Sequence, residues 1–137
     1  MKLSKLLLVA IALIAFNTSQ AQIKTTVTLP DWGVAGYDNA RYYYIPDIES
    51  YYDVGGRQFV YMKDGKWVRS TRQPVVYKNY DLYNGYKVVI TDDKEPYADY
   101  DNLRVKYAKG YKGDPQKNIK VKTRKNGTVK IKTKKNK

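Results

Sequence analysis

Between residues 41 and 70 the apolar positions follow the two-residue period of β-strands, broken at short intervals by proline, glycine and aspartate. Arg41–Ile45 stops at Pro46, and Ile48–Asp53 resumes the pattern. Gly55-Gly56 then separates it from Arg57–Met62, and Asp64-Gly65 separates that run from Lys66–Ser70. These are hairpin spacings. A two-residue turn at Gly55-Gly56 sets Asp53 opposite Gln58, Tyr52 opposite Phe59 and Tyr51 opposite Val60. A two-residue turn at Asp64-Gly65 sets Met62 opposite Trp67 and Tyr61 opposite Val68. Because strand neighbours alternate sides, Tyr52, Phe59, Tyr61 and Val68 share one face, and Tyr51, Val60, Met62 and Trp67 share the other. Both faces are apolar, so the pattern predicts helix or loop material over at least one of them; a bare two-faced aromatic sheet would aggregate.

The flanking segments are less regular. Ile23–Leu29 alternates and is rich in β-branched residues, predicting a strand or strand-like arm. Asp31–Ala40 reads as a loop in which Trp32 anchors onto the core. After Pro74, Tyr77, Tyr80 and Tyr83 recur every three residues, predicting a helical or 3₁₀ turn that ends at Asn84-Gly85 and uses its rings for packing. Tyr86–Thr91 is a strand, followed by a loop at residues 92–96. Asp99 or Asp101 caps a helix carrying Leu103, Val105 and Tyr107 toward Gly110, or the same residues, spaced by two, form a strand. The expected fold is mainly β with minor α (α+β): a small antiparallel meander sheet with one or two short helical segments, plus a basic C-terminal hairpin or disordered tail.

The amino terminus changes the setting. Met1–Lys5 is cationic, Leu6–Phe16 is an uncharged apolar run of eleven residues, and Ser19-Gln20-Ala21 places small residues where a signal peptidase reads them. The run is short of the roughly 20 residues that span a bilayer. Residues 1–21 are therefore expected to be a cleavable signal peptide, with cleavage between Ala21 and Gln22 and export to the periplasm or cell exterior. No cysteine follows to carry a lipid. The expected organisation is a signal peptide (1–21), an arm and loop (22–39), a tyrosine-rich β domain (40–113) and a lysine-rich tail (114–137).

The runs Tyr42-Tyr43-Tyr44-Ile45-Pro46-Asp47, Tyr51-Tyr52-Asp53, Gly65-Lys66-Trp67-Val68 and Asn79-Tyr80-Asp81-Leu82-Tyr83 resemble small exported tyrosine-rich proteins of Gram-negative bacteria with no established activity. The resemblance covers about residues 40–113. It implies compartment and domain extent, and it carries over no functional residues.

Composition narrows the chemistry. The chain of 137 residues has no cysteine, so stability rests on packing without disulfides. It also has no histidine. Together these absences remove Ser-His-Asp and Cys-His nucleophilic systems and the usual zinc, copper and haem ligand sets. No spacing singles out a carboxylate pair among the two glutamates and eleven aspartates, so a non-enzyme with no cofactor is expected. Asp92, Asp93, Glu95, Asp99 and Asp101 crowd one stretch but lack calcium-loop spacing and include Lys94, which suits a solvated loop and no metal site. Gly110–Gly113 lacks the features of a phosphate loop and reads as a hinge.

The net charge of +13 is unevenly spread: no acid lies between Lys117 and Lys137, whereas residues 22–116 hold 14 basic and 13 acidic side chains. Any electrostatic partner is thus addressed by the tail. There Ile119–Arg124 and Thr128–Thr133 alternate around Lys125-Asn126-Gly127, a hairpin signature. A three-residue loop pairs Val121 with Ile131 and Thr123 with Val129, and collects Lys120, Lys122, Arg124, Lys130 and Lys132 on the opposite face. Opposed like charges weaken such a ladder, so it should order only on docking to the domain or on neutralisation by a polyanion. These five residues are the candidate anion contacts, toward anionic envelope polymers, lipid head groups or nucleic acid; a solvated tail and a protein partner are the other readings. The expected function is an exported, non-catalytic envelope-associated binding or structural protein. The alternative is a carbohydrate-binding module, with Tyr51 and Trp67 as candidate ring contacts.

Overall fold

A computed structural model describes residues 28–123 and 129–135. The signal segment, most of the Ile23–Leu29 arm, and Arg124, Lys125, Asn126, Gly127 and Thr128 of the expected hairpin lie outside the described residues.

Five strands form one antiparallel sheet: β1 (Tyr42–Ile45), β2 (Ser50–Asp53), β3 (Gln58–Lys63), β4 (Lys66–Ser70) and β5 (Val88–Ile90), in the order β4-β3-β2-β1-β5. The fold is mainly β with minor α. The first four strands make the expected meander, and β5 returns along the free side of β1. A second, two-stranded sheet joins β6 (Lys117–Thr123) to β7 (Val129–Lys135).

Registers follow the apolar matching. Tyr51 faces Val60, Tyr52 faces Phe59 and Asp53 faces Gln58; Met62 faces Trp67 and Tyr61 faces Val68. The Asp64-Gly65 turn has φ of 50° and 74°, the doubly positive type I′ geometry that suits the twist of a two-residue hairpin. The Gly55-Gly56 turn departs from expectation. Its ladder closes at Asp53 and Gln58, leaving residues 54–57 as a four-residue loop whose positive φ falls on Arg57. Val54 is drawn out of the turn because it is buried, its amide donating to Arg41 O at 3.0 Å, while Asp53 Oδ1 accepts from Gly56 N at 2.8 Å.

Both faces of the sheet are covered. On one, Tyr43, Ile45 and Phe59 pack with Trp32, Val34, Ala40, Ile48 and Val54, and with Tyr77, Tyr80 and Leu82 from the long β4–β5 connection. Trp32 is the anchor of its loop, with ring centroids 4.7 Å from Tyr52 and 5.8 Å from Tyr43. A side chain at Gly33 would put its Cβ 2.8 Å from the Tyr43 hydroxyl, so only glycine lets this loop lie so close to β1. On the other face, Tyr44, Tyr51 and Val60 pack under Trp67, Tyr100, Leu103 and Tyr107.

The open choice at residues 99–110 resolves as helix: a 3₁₀ turn (Pro96–Asp99) runs into α1 (Tyr100–Lys106). Asp99 occupies the N-cap position without a side-chain capping bond. Tyr100, Leu103 and Tyr107, spaced by three and four, face the sheet, whereas Val105 is exposed. The two-residue spacing involving Val105 was thus the misleading one. The Tyr77/Tyr80/Tyr83 segment supplies a single 3₁₀ turn (Val75–Tyr77); Tyr77 and Tyr80 pack against the core, while Tyr83 is exposed and donates to Asp31. β5 is shorter than the expected Tyr86–Thr91, since Tyr86 turns aside to meet Tyr111 at 5.2 Å.

Among the described residues the hydroxyls of buried Tyr44 and Tyr51 have no hydrogen-bond partner, whereas Tyr80 Oη donates to Asp47 Oδ2 at 2.7 Å. An unpartnered buried hydroxyl costs stability; one bonded to a carboxylate contributes to it. Tyr44→Phe and Tyr51→Phe should therefore leave unfolding stability unchanged or raise it by up to about 2 kcal/mol, while Tyr80→Phe should lower it by about 2 kcal/mol. Urea titration of the three variants checks the contrast, and a large loss in both Tyr44→Phe and Tyr51→Phe would contradict it.

Candidate functional site

Four of the five candidate anion contacts fall on β6 and β7, Lys120 and Lys122 on the first and Lys130 and Lys132 on the second. Backbone pairing sets Lys120 opposite Lys132, Lys122 opposite Lys130, Val121 opposite Ile131 and Thr123 opposite Val129, the register that a three-residue loop requires. Lys117 also stands opposite Lys135, but at an odd offset from Lys120, so by strand alternation this pair belongs with Val121 and Ile131 and not with the Lys120 and Lys122 row. Arg124 lies outside the described residues.

The start of β6 is tied to the domain. Asn118 bridges to Val34, Ala35 N donates to Lys117 O at 2.7 Å, and Ile119 N donates to Gly33 O at 3.0 Å. Asn118 and Ile119 are buried, and the Asn118 side-chain amide donates to Tyr83 O. Gln116 adds a clamp, its Oε1 accepting from Lys87 N at 3.0 Å and its Nε2 donating to Lys87 O at 2.6 Å. This side-chain amide stands where a neighbouring strand would pair with the chain entering β5.

Of the two ring candidates, Tyr51 is fully buried, its centroid 5.0 Å from Tyr44 and 5.9 Å from Trp67, so it presents no face to an external sugar. Trp67 is half-buried. It stacks on Tyr97 at 5.1 Å, and Tyr100 meets it edge-on at 85°. These three rings spend their faces on one another and form no flat platform.

The acidic stretch is divided among separate partners. Asp93 pairs with Arg41 at 2.7 Å, Glu95 with Arg69 at 3.4 Å and Asp101 with Arg104 at 3.4 Å, while Asp99 accepts from Asn102 and Asp92 from Lys94 N. Among the described residues no three carboxylates are grouped to hold a metal ion.

Lys87 escaped the sequence reading. It is fully buried, Nζ donating to Gly85 O at 2.7 Å and lying 6.0 Å from the Trp32 ring. Its signal was present: in Tyr86–Thr91, position 87 shares its side with Val89, which packs against the core. Burial pulls its ammonium down to about 8, with Asp81 opposing weakly. The buried Nζ is bonded within the fold, which suits a packing role better than attack on an external substrate.

No protein-family model, no curated protein and no solved structure matches the chain.

Buried ionisable groups set the pH response. Between about pH 8 and 10.5 the unfolded state holds a proton on Lys87 that the native state has released, so stability rises with pH there; below pH 8 both states are charged and the penalty is at its fullest. Tyrosines act oppositely. Burial pushes Tyr43 up to about 12 and Tyr44, Tyr51 and Tyr80 higher still, so above pH 10 the unfolded state sheds protons that the native state keeps, and stability falls. The melting temperature is expected to peak between pH 9 and 10. Lys87→Met should remove the rise from pH 8 to 10, worth on the order of 3 kcal/mol in the native chain, and leave the alkaline fall. Thermal melts from pH 6 to 12 check this; a Lys87→Met profile parallel to the native one would refute it.

Proposed function

We propose that the protein is an exported, non-catalytic module of the cell envelope that contacts anionic polymers through its lysine-rich C-terminal hairpin. In this reading residues 1–21 are lost on export, and the tyrosine-rich sheet is a rigid base from which the hairpin is presented. The supporting observation is the β6–β7 register, in which lysine stands opposite lysine at successive non-neighbouring positions. Such a ladder repels itself in water and is relieved by a partner of dense negative charge. Two-stranded hairpins are marginal alone, and here the Gly33–Ala35 bridge holds one end of β6 against the domain, lowering the ordering cost. A sugar-binding reading has less behind it, because Tyr51 is buried and Trp67, Tyr97 and Tyr100 form no platform.

The polymer that fits is recognised by charge density, with no base or sugar specificity implied. Binding of the full mature chain to dextran sulfate, measured between 50 and 300 mM salt, should weaken linearly on a log–log plot through counterion release. Replacing Lys120, Lys122, Lys130 and Lys132 together by glutamine should reduce affinity at least about tenfold at low salt and flatten the slope. Equal affinity and slope for the two proteins would overturn the assignment. The substitutions stop short of Gln116, Asn118 and Ile119, whose bonds belong to the fold.

A further inference from the structure

The 3₁₀ turn after Pro74 places two β-branched apolar side chains in water. Val75 is 81% exposed and Val76 87%, and Met62, across the same groove, is 42% exposed. This turn is built rather than loose: Tyr77 N donates to Pro74 O at 2.8 Å, Lys78 N donates to Val75 O at 3.3 Å, and the Tyr77 ring is packed on the core. The apolar tip therefore stands on a fixed support, next to the rings of Tyr61, Tyr77 and Tyr100 that line the groove beneath it. Its margin is basic. Lys63 lines the same groove, Arg72 and Lys78 lie with Val75 along the adjoining depression, and Lys109 donates to Tyr77 Oη at 2.9 Å. The one acid lining the groove, Glu49, is held by Lys109 at 3.5 Å.

We infer that Val75, Val76 and Met62, with the margin formed by Lys63, Arg72 and Lys78, are a contact face for an anionic lipid bilayer surface. An apolar tip seats at the acyl boundary while the surrounding lysines and arginine meet phosphate, and tyrosines are suited to the layer between. The arrangement lies on the surface and does not span: no described helix is long and apolar enough to cross a membrane. The inference rests on the envelope reading above only for the choice of an anionic bilayer; its residues are separate from the hairpin.

Vesicles of mixed phosphatidylglycerol and phosphatidylcholine, vesicles of phosphatidylcholine alone, and soluble dextran sulfate distinguish the two surfaces. The full chain should co-sediment with anionic vesicles and retain part of that binding in 0.5 M salt, which removes purely ionic contact. Val75→Ser/Val76→Ser should lower vesicle affinity at least about tenfold, lose the salt-resistant part and keep its dextran sulfate affinity and melting temperature. Lys63→Gln/Lys78→Gln should lower preference for anionic over neutral vesicles severalfold. Vesicle binding unchanged in the valine variant, or absent in the native chain, would overturn the inference. Sedimentation velocity without lipid adds one outcome: self-association abolished by the valine substitutions, with no vesicle binding, would assign the face to a second copy instead and overturn the lipid surface. Valine-dependent vesicle binding alongside no dextran sulfate binding would support this face and sink the hairpin reading alone.

Discussion

Strand β1 has no solvent side. Tyr42, Tyr43, Tyr44 and Ile45 are all buried, β2 and β5 flank the strand, and side chains project to both faces of the sheet. A sheet with an interior strand apolar on both sides cannot end at one layer, so chain must be laid over each face. The loop at residues 29–40 and the β4–β5 connection cover the Tyr43 side, while the 3₁₀ turn and α1 cover the Tyr44 side. Much of that cover is irregular backbone, which lacks the ladder that holds a strand. It is held by point attachments instead. Asp47 accepts from Tyr80 on the β4–β5 connection and from Gly110 N beyond α1, and Arg69 bonds both Asp53 of β2 and Glu95 ahead of the 3₁₀ turn.

This explains the choice of tyrosine over phenylalanine better than burial does. Burial alone is served by Phe, and at Tyr44 and Tyr51 the hydroxyls gain no partner among the described residues. Elsewhere the phenol is a fastening for loops in a chain without cysteine: Tyr80 to Asp47, Tyr83 to Asp31, and Tyr77 to Lys109 each join segments more than thirty residues apart. A ring packed on the core with its oxygen on a distant side chain does some of the work of a cross-link, each worth roughly 1–3 kcal/mol where buried and less where solvent competes.

What the sequence made legible was whatever strand periodicity or turn chemistry controls locally. Registers of β2–β3 and β3–β4 followed from matching apolar pairs, and that of β6–β7 from setting Val121 against Ile131. Where tertiary demand outweighed local preference, the pattern misled. Gly55-Gly56 has the composition of a two-residue turn, but burying Val54 against β1 moved the positive φ to Arg57. Val105 looked like part of an apolar series, yet the helix turns it to water. Tyr51 could not be told from an exposed ring, because a two-faced sheet gives both of its faces the same alternation; only the covering helix decides between them. Neither could the Gln116 clamp be foreseen, since a side-chain amide closing a strand edge leaves no periodic trace.

The distribution of charge follows from the same architecture. Irregular cover brings carboxylates and guanidinium groups together near the sheet, and Asp53, Asp93, Glu95 and Asp101 are taken up by Arg69, Arg41 and Arg104 within the domain. Such exposed pairs add little stability, but they leave the domain without a strong field of its own. The lysines of β6 and β7 are different in kind, being set against one another by the register. On the proposed reading two terms govern association with an anionic surface: a long-range ionic one from the hairpin, screened within about 8 Å at physiological salt, and a short-range apolar one from Val75 and Val76 that salt does not screen. The first favours encounter with any polyanion, and the second distinguishes a bilayer from a soluble polymer of equal charge. A protein carrying both would be drawn to anionic surfaces broadly and retained on those into which two valines can sink.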